Sequence, residues 1–241
     1  MSKERRSFLD HERGSKGRIF TLHTGSAKTP AQDDSTIHNL ISGKTVHYQA
    51  KKIIYNEGTT VDKVIVIRSG MVKLVSHLPN GRARIVRVHS TGSWLGLCGL
   101  LGQPSQHTVI AVDDVDAYYI PVGKLLYIKS DNPHLYNRLL EHWFDYLQEA
   151  DLWIAEFSTG VIKGRVARLV NFLSDIENNE VPNEVKLLTC EEMAEILGAT
   201  PESVSRVLAE FKRKKVLYPS RFPGGDYYQR NVTALDAIAR Q

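Results

Sequence analysis

Cysteine is nearly missing from this chain: its 241 residues hold two, Cys98 and Cys190. So wide a separation builds no disulfide framework and no Cys-x-x-Cys site, and it points to a reducing compartment. Long apolar runs are missing as well. No stretch approaches the ~20 residues that span a bilayer, and the charged first residues carry no apolar signal core. A cytoplasmic protein without a membrane partner is expected. No Ser/His/Asp or paired-carboxylate constellation announces itself, and His77 and His89 are not spaced as a His-x-His metal pair. The chain therefore reads as a non-enzyme with no metal site; a metal-dependent, cupin-like enzyme is the rival reading. Internal repeats and low-complexity tracts are also lacking.

What is present is an ordinary globular composition, 42% hydrophobic and 24% charged. The length allows two modest domains with their own cores. A net charge of +4 and a pI near 9.0 favour a polyanion partner only where the basic residues cluster.

They cluster in Leu188–Tyr218. Thr189 and Glu192 have capping-box spacing, Gly198 suits a left-handed helix end, and Thr200-Pro201 reads as cap and first position of a second helix. Ala194 is small where two helices would cross, while Val204, Val207, Leu208 and Phe211 recur at helical spacing. The outward face holds Glu202, Ser203, Ser205 and Arg206, then Lys212, Arg213, Lys214 and Lys215. The pattern predicts a helix-turn-helix whose second helix enters a DNA major groove. The bland alternative is a helical hairpin with solvated charges.

The remaining chain supplies the context. Residues 1–35 are polar and read as a loosely ordered tail, and Ile37–Leu40–Ile41 hints at a short helix. Residues 36–131 read as a β-roll. Its candidate strands are Thr45–Tyr48, Ile53–Tyr55, Val64–Arg68, Met71–Ser76, Ala83–His89, Thr108–Val112 and Ala117–Ile120, with Asn80-Gly81 as the strongest hairpin signal. Residues 132–158 read as one helix. Along it Tyr136, Leu140, Trp143, Leu147, Ala150, Ile154 and Phe157 step by four and three, a heptad seam suited to two-fold dimerisation. A second stripe, Leu139, Tyr146 and Trp153, would dock on the roll. Ser158-Thr159-Gly160 is the predicted hinge, and residues 159–241 the DNA-binding domain. There Val161–Leu173 forms a helix and Tyr227–Thr233, after Phe222-Pro223-Gly224-Gly225, a hairpin wing. The predicted fold class is α+β: an N-terminal jelly-roll-like β-roll, a long dimerisation helix and a C-terminal winged helix-turn-helix.

This order resembles the Crp/Fnr family of bacterial transcription regulators over about Ile37 to Gln241. The resemblance is carried by Asn56–Gly58, Ile67–Gly70, Asn80-Gly81, the segment GSWLGLCGLLG (Gly92–Gly102), KGRVARLVNFL (Lys163–Leu173) and LGATPESVSRVLAEFKRKKVL (Leu197–Leu217). It implies a homodimer on a near-palindromic operator, RNA polymerase as a further partner, and a signal received in the roll. Glu202, Ser205 and Arg206 match the base-reading positions of members resembling the fumarate-nitrate regulator, which implies TTGA-type half-sites. The chemistry agrees independently: Arg donates twice to guanine, Glu accepts from cytosine N4, and Ser contacts a polar edge or a thymine methyl. Thr200, Ser203, Lys212 and Arg213 complete the expected DNA face, the last two as phosphate contacts.

The sensing end departs from the family pattern. Leu97 follows Gly96 where cyclic-nucleotide-binding members have Glu, and Gln106-His107-Thr108 lacks their arginine. A buried phosphate without a cation is poorly held, so tight cyclic-AMP binding is not expected. Residues 1–35 contain no cysteine, which removes the iron–sulfur ligands. What remains is an apolar pocket of Trp94, Leu95, Gly96, Leu97, Cys98 and Leu100, with His107 and Thr108, facing Tyr146, Ala150 and Trp153. A small apolar or aromatic effector would suit it. A packed, ligand-independent roll is the alternative, and a redox or gas signal a further one. Haem on His77, His89, His107 or Cys98 is the remaining alternative, and no cofactor is predicted. Cys190 stands beside the cap of the first motif helix, where oxidation would disturb DNA binding; structural filler is the preferred reading.

Overall fold

The computed structural model describes residues 44–176, 183–220 and 226–241. The predicted tail, the Ile37–Ile41 helix and the Phe222–Gly225 turn lie outside the described residues.

Short β-branched runs between glycine turns fold as eight strands: β1 (Thr45–Tyr48), β2 (Ile53–Tyr55), β3 (Lys63–Ser69), β4 (Val72–His77), β5 (Ala83–His89), β6 (Trp94–Leu95), β7 (Thr108–Ala111) and β8 (Val115–Pro121). They form two antiparallel sheets, β1-β8-β3-β6 and β2-β7-β4-β5. Ile65, Ile67 and Ala117 of the first pack on Val72, Val109 and Ala111 of the second. At the β4–β5 turn only Gly81 takes a positive φ, and the Asn80 side chain accepts instead from the Arg82 amide. A bulge follows: Leu74 pairs with Arg87 but Val75 with Ile85, leaving Val86 over. Arg84 and Arg87, three apart, therefore face the same side, opposite Ser76 and Leu74.

Two short helices, α1 (Val122–Leu125) and α2 (Ile128–Asp131), lead into the 26-residue α3 (Pro133–Ser158). Asn132 caps α3 by accepting from the Leu135 amide, and Pro133 occupies a first-turn position where a missing N–H is harmless. Leu135 and Leu139 bury against Val64, Val66 and Ile120 of the roll. No described helix is long and apolar enough to cross a membrane.

The predicted heptad seam separates into its two columns. Leu140, Leu147 and Ile154 stand in solvent, joined by Phe144, which lies outside the predicted seam positions. The other column turns inward. Tyr136 and Trp143 pack on the roll, Ala150 lines a cavity, and Phe157 is 1% exposed within an aromatic cluster with Trp153 and Phe172. Phe157 thus belongs to the core rather than to an outward seam. The heptad spacing was real, but one apolar column per turn is consumed by the chain's own domains.

Past Gly160 (φ +84) the chain continues as α4 (Ile162–Ile176), β9 (Glu184–Lys186), α5 (Cys190–Leu197), α6 (Pro201–Arg213), β10 (Leu217–Pro219), β11 (Tyr227–Arg230) and α7 (Val232–Ala239). Arg168 of α4 pins the bend, donating to the carbonyls of Glu156, Thr159 and Ala239. The wing sheet runs β10-β11-β9. Its strand ends at Arg230, short of the predicted Thr233, because Asn231 accepts from the Ala234 amide and starts α7.

This C-terminal unit seats on the outer face of sheet β2-β7-β4-β5. Met71, Val75, Ile85 and Val88 share one buried cluster with Met193, Ile196 and Phe211. Lys73 reaches Glu192 at 2.8 Å, both largely buried, and Lys186 pairs with Asp113. Glu192 uses its second oxygen to accept the Thr189 amide, closing the capping box. Burial pushes the Glu192 carboxyl up, but the bonds from Lys73 and Thr189 outweigh it and hold it below the ordinary Glu range. A depressed folded-state pKa adds stability that is complete above the unfolded value, about 4.3, and disappears as pH falls below it. The urea midpoint of Glu192→Gln should therefore fall less steeply than wild type on acidification below about pH 4. Phe157→Ala should lower stability by about 3–5 kcal/mol in denaturant titration.

Candidate DNA-reading face and effector cavity

The helix-turn-helix is built as its sequence demands. Gly198 ends α5 at φ +58, a left-handed conformation that glycine adopts without a Cβ penalty. Thr200 caps α6, its hydroxyl accepting from the Ser203 amide, and Pro201 opens the helix. Val204, Val207, Leu208 and Phe211 bury beneath, with Ala194 at the crossing. The same turn geometry leaves Glu202, Ser205, Arg206, Lys212 and Arg213 on one exposed face, with Thr200 exposed at its tip and Ser203 half-buried beside it. Bonds to its own backbone amide and to the Thr200 hydroxyl, with Arg206 nearby, hold the Glu202 carboxyl below its ordinary value. At neutral pH it is an acceptor only. Lys212 rests on the wing, 2.8 Å from the Tyr228 hydroxyl and 4.4 Å over its ring. Lys214 pairs with Glu210 at 2.7 Å. The expected run of four free basic residues is thus partly tied down.

A cavity of about 650 Å³ lies between the roll and α3. Of the expected lining, Trp94, Leu95, Gly96, Leu97, Cys98 and His107 are present, as are Tyr146, Ala150 and Trp153. Two residues are elsewhere. Thr108 is buried outside the lining, its hydroxyl accepting the Glu57 amide, and Leu100 packs under α3. Tyr146 closes the inner end: its hydroxyl accepts from the Trp94 amide at 2.6 Å and donates to the Trp94 carbonyl at 2.7 Å.

The lining is largely apolar, as expected, but it is not free of cations. Arg84 and Arg87 both line it, supplied by β5 rather than by the Gln106–Thr108 stretch. Only the bulge at Val86 brings them together, and period-two reading of β5 assigns them to opposite faces. The Arg87 guanidinium donates to the Tyr146 carbonyl at 2.9 Å, and burial pulls its pKa down while Glu149 pulls it up. His89, also in the wall, is buried 5.2 Å from the Tyr146 ring. Burial, and then Arg87, push its pKa down to about 3, so it is neutral at physiological pH. Burial likewise lowers His107 and raises the Cys98 thiol. Trp94 and His107 each keep a buried ring nitrogen without a hydrogen-bond partner among the described residues. Of the side chains considered for haem, His89, His107 and Cys98 reach the cavity, while His77 lies exposed beside Glu57. Among the described residues no three His, Cys, Asp or Glu side chains converge as a metal site.

Known proteins share this arrangement. Residues 45–132 match the cyclic nucleotide-binding domain and residues 167–238 the Crp-like helix-turn-helix domain. The transcriptional regulator LdrP of Thermus thermophilus is 24% identical over 172 residues, 70% of this chain and 85% of that protein. The transcriptional activator protein FnrL of Cereibacter sphaeroides is 27% identical over 177 residues, 70% of this chain and 71% of its own. The structure of FixK2 from Bradyrhizobium japonicum superposes with a TM-score of 0.71 at 20% identity, covering 81% of this chain and 96% of that one. With both domain matches in the observed order, and a capped reading helix presented to solvent, the chain belongs to the Crp/Fnr family of DNA-binding transcription regulators.

Proposed function

We propose that the protein acts as a homodimer on an inverted repeat of TTGA-type half-sites, under the control of a small molecule held between the roll and α3. The observation that carries the reading is the α6 surface: Glu202, Ser205 and Arg206 exposed on a helix whose opposite side is fully buried. An acceptor, a hydroxyl and a forked donor one turn apart are the groups that discriminate bases in a major groove. Thr200 and Ser203 at the helix tip, with Lys212 and Arg213 at its far end, serve as flanking backbone contacts. RNA polymerase is the further partner in this reading, reached once the dimer is seated on its operator.

The exposed α3 column supports the dimer. Leu140, Phe144, Leu147 and Ile154 form an exposed apolar stripe along α3, at the spacing a parallel partner helix needs. Leu147 and Ile154 also line the cavity, so a partner helix on the stripe would cover its mouth. Effector and dimer would then share one boundary, a simple reason for a signal in the roll to alter the pairing of the reading heads. Leu97 still stands where the cyclic-nucleotide-binding pattern has its carboxylate, which argues against cyclic AMP as that signal. No haem or metal belongs to this reading, and the purified protein should show no Soret band.

Arg206→Ala should weaken binding to the TTGA repeat by roughly 1–3 kcal/mol and relax discrimination at one base pair per half-site, measured by fluorescence anisotropy. Equal weakening on scrambled DNA would reduce Arg206 to a phosphate contact. Leu147→Glu places an unpaired charge in the seam and should weaken dimerisation by about 2–4 kcal/mol in analytical ultracentrifugation. An unchanged dimer would move the interface elsewhere.

A further inference from the structure

Arg84 belongs to two places at once. It lines the effector cavity, and it lines a second cleft of about 870 Å³ between the β4–β5 hairpin and the leading end of the reading helix. Its guanidinium lies against Gly198, the turn residue of the DNA-reading motif, so closely that a Cβ on that glycine would collide with it. Among the described residues the Arg84 side chain has neither a carboxylate partner nor a hydrogen bond. Arg165 of α4 is a second guanidinium at the same spot, donating to the Leu197 carbonyl at 2.7 Å. Like charge from Arg84 adds to burial and Arg168 in lowering the Arg165 pKa. Two cations therefore share the carbonyl end of α5. The favourable electrostatics at this spot come from the weak negative pole of the eight-residue α5.

We propose that Arg84 couples the cavity to the DNA-reading motif: an anionic group bound in the cavity draws the Arg84 guanidinium off the Gly198 turn and frees the helix-turn-helix from the roll. Arg87, on the same side of β5, provides the fixed half of the anion site, anchored by the Tyr146 carbonyl. Trp94, Leu97 and Trp153 provide room for an apolar body. A carboxylate or phosphate offers a forked, charge-assisted bond in place of a helix pole and a like-charged neighbour, so the exchange runs toward the anion. The ligand class is a small anion with an apolar or aromatic body. Arg84 is a positioning residue and makes no DNA contact itself. The Lys73–Glu192 pair and the shared apolar face remain as the other restraints, so that loss of Arg84 loosens the docked motif without detaching it.

The inference rests on the cavity being the effector site, and the test separates the two. All three tryptophans of the chain, Trp94, Trp143 and Trp153, line the cavity, so intrinsic fluorescence of the full chain reports binding there. Phenylacetate and phenyl phosphate serve as probes for the two anion types, with phenylacetamide as the neutral match, and anisotropy on the TTGA repeat reports DNA affinity. At least one anion should shift the emission while the amide does not, and Arg87→Gln should weaken that anion at least tenfold. The same anion should tighten wild-type DNA binding roughly tenfold, within the usual span of coupling between two sites. Arg84→Gln should bind DNA more tightly without any anion and lose the response to it, and Arg84→Lys should restore part of the response. A full response in Arg84→Gln overturns the coupling and leaves the effector site standing. Emission shifts with no change in wild-type DNA affinity overturn the effector-site reading itself. Failure of both anions to bind, or equal action of the amide, overturns the anionic class.

Discussion

Everything that positions the reading helix depends on one contact, the seating of the helix-turn-helix on the outer face of the β2-β7-β4-β5 sheet. Met71, Val75, Ile85 and Val88 leave the roll on the far side from its own interior and enter a core continuous with Met193, Ile196 and Phe211. Burial of this kind is non-directional and fixes proximity rather than orientation. Orientation comes from directional groups at its edge. Glu192 divides its two oxygens between the cap of α5 and the Lys73 ammonium, so the ion pair that holds the domains also holds the first motif helix in register. A change in either is felt in both.

The bend after α3 belongs to the same system. Arg168 gathers carbonyls from the end of α3, the residue before Gly160 and the end of α7, three groups left without helical partners. A hinge held this way moves as a unit, because releasing one carbonyl leaves a buried guanidinium partly unsatisfied. The cavity between the roll and α3 reaches this region through Trp153, Ile154 and Ser158. Roll, hinge and reading motif are thus in direct contact, and no long chain of intermediates is needed to connect them.

Much of this was legible in the sequence, and for identifiable reasons. Caps and breakers act locally: Thr189 with Glu192, Gly198, and Thr200-Pro201 each specify a geometry within a few residues, and each was found where expected. The long helix announced itself by its apolar repeat. The repeat could not say which column meets a neighbour, since Phe157 and Leu147 look alike until the domains are folded around them. Arg84 and Arg87 escaped notice because a one-residue bulge at Val86 reverses the inside–outside assignment of half a strand. Nothing in β5 announces that bulge. The C-terminal helix was hidden by its β-branched start, Val232-Thr233, and by the preceding strand.

The central claim is that two copies of α6 read DNA together, related by a two-fold axis that runs by the α3 seam. Its most direct test is a spacing series. Two inverted TTGA half-sites are placed with centres one helical turn apart, about 10 base pairs, and then separated by a further half turn, with affinity followed by anisotropy. A two-fold reader should bind the first strongly and lose most of its affinity on the second, where one half-site faces away. Equal affinity for both spacings would contradict a rigid dimeric reader.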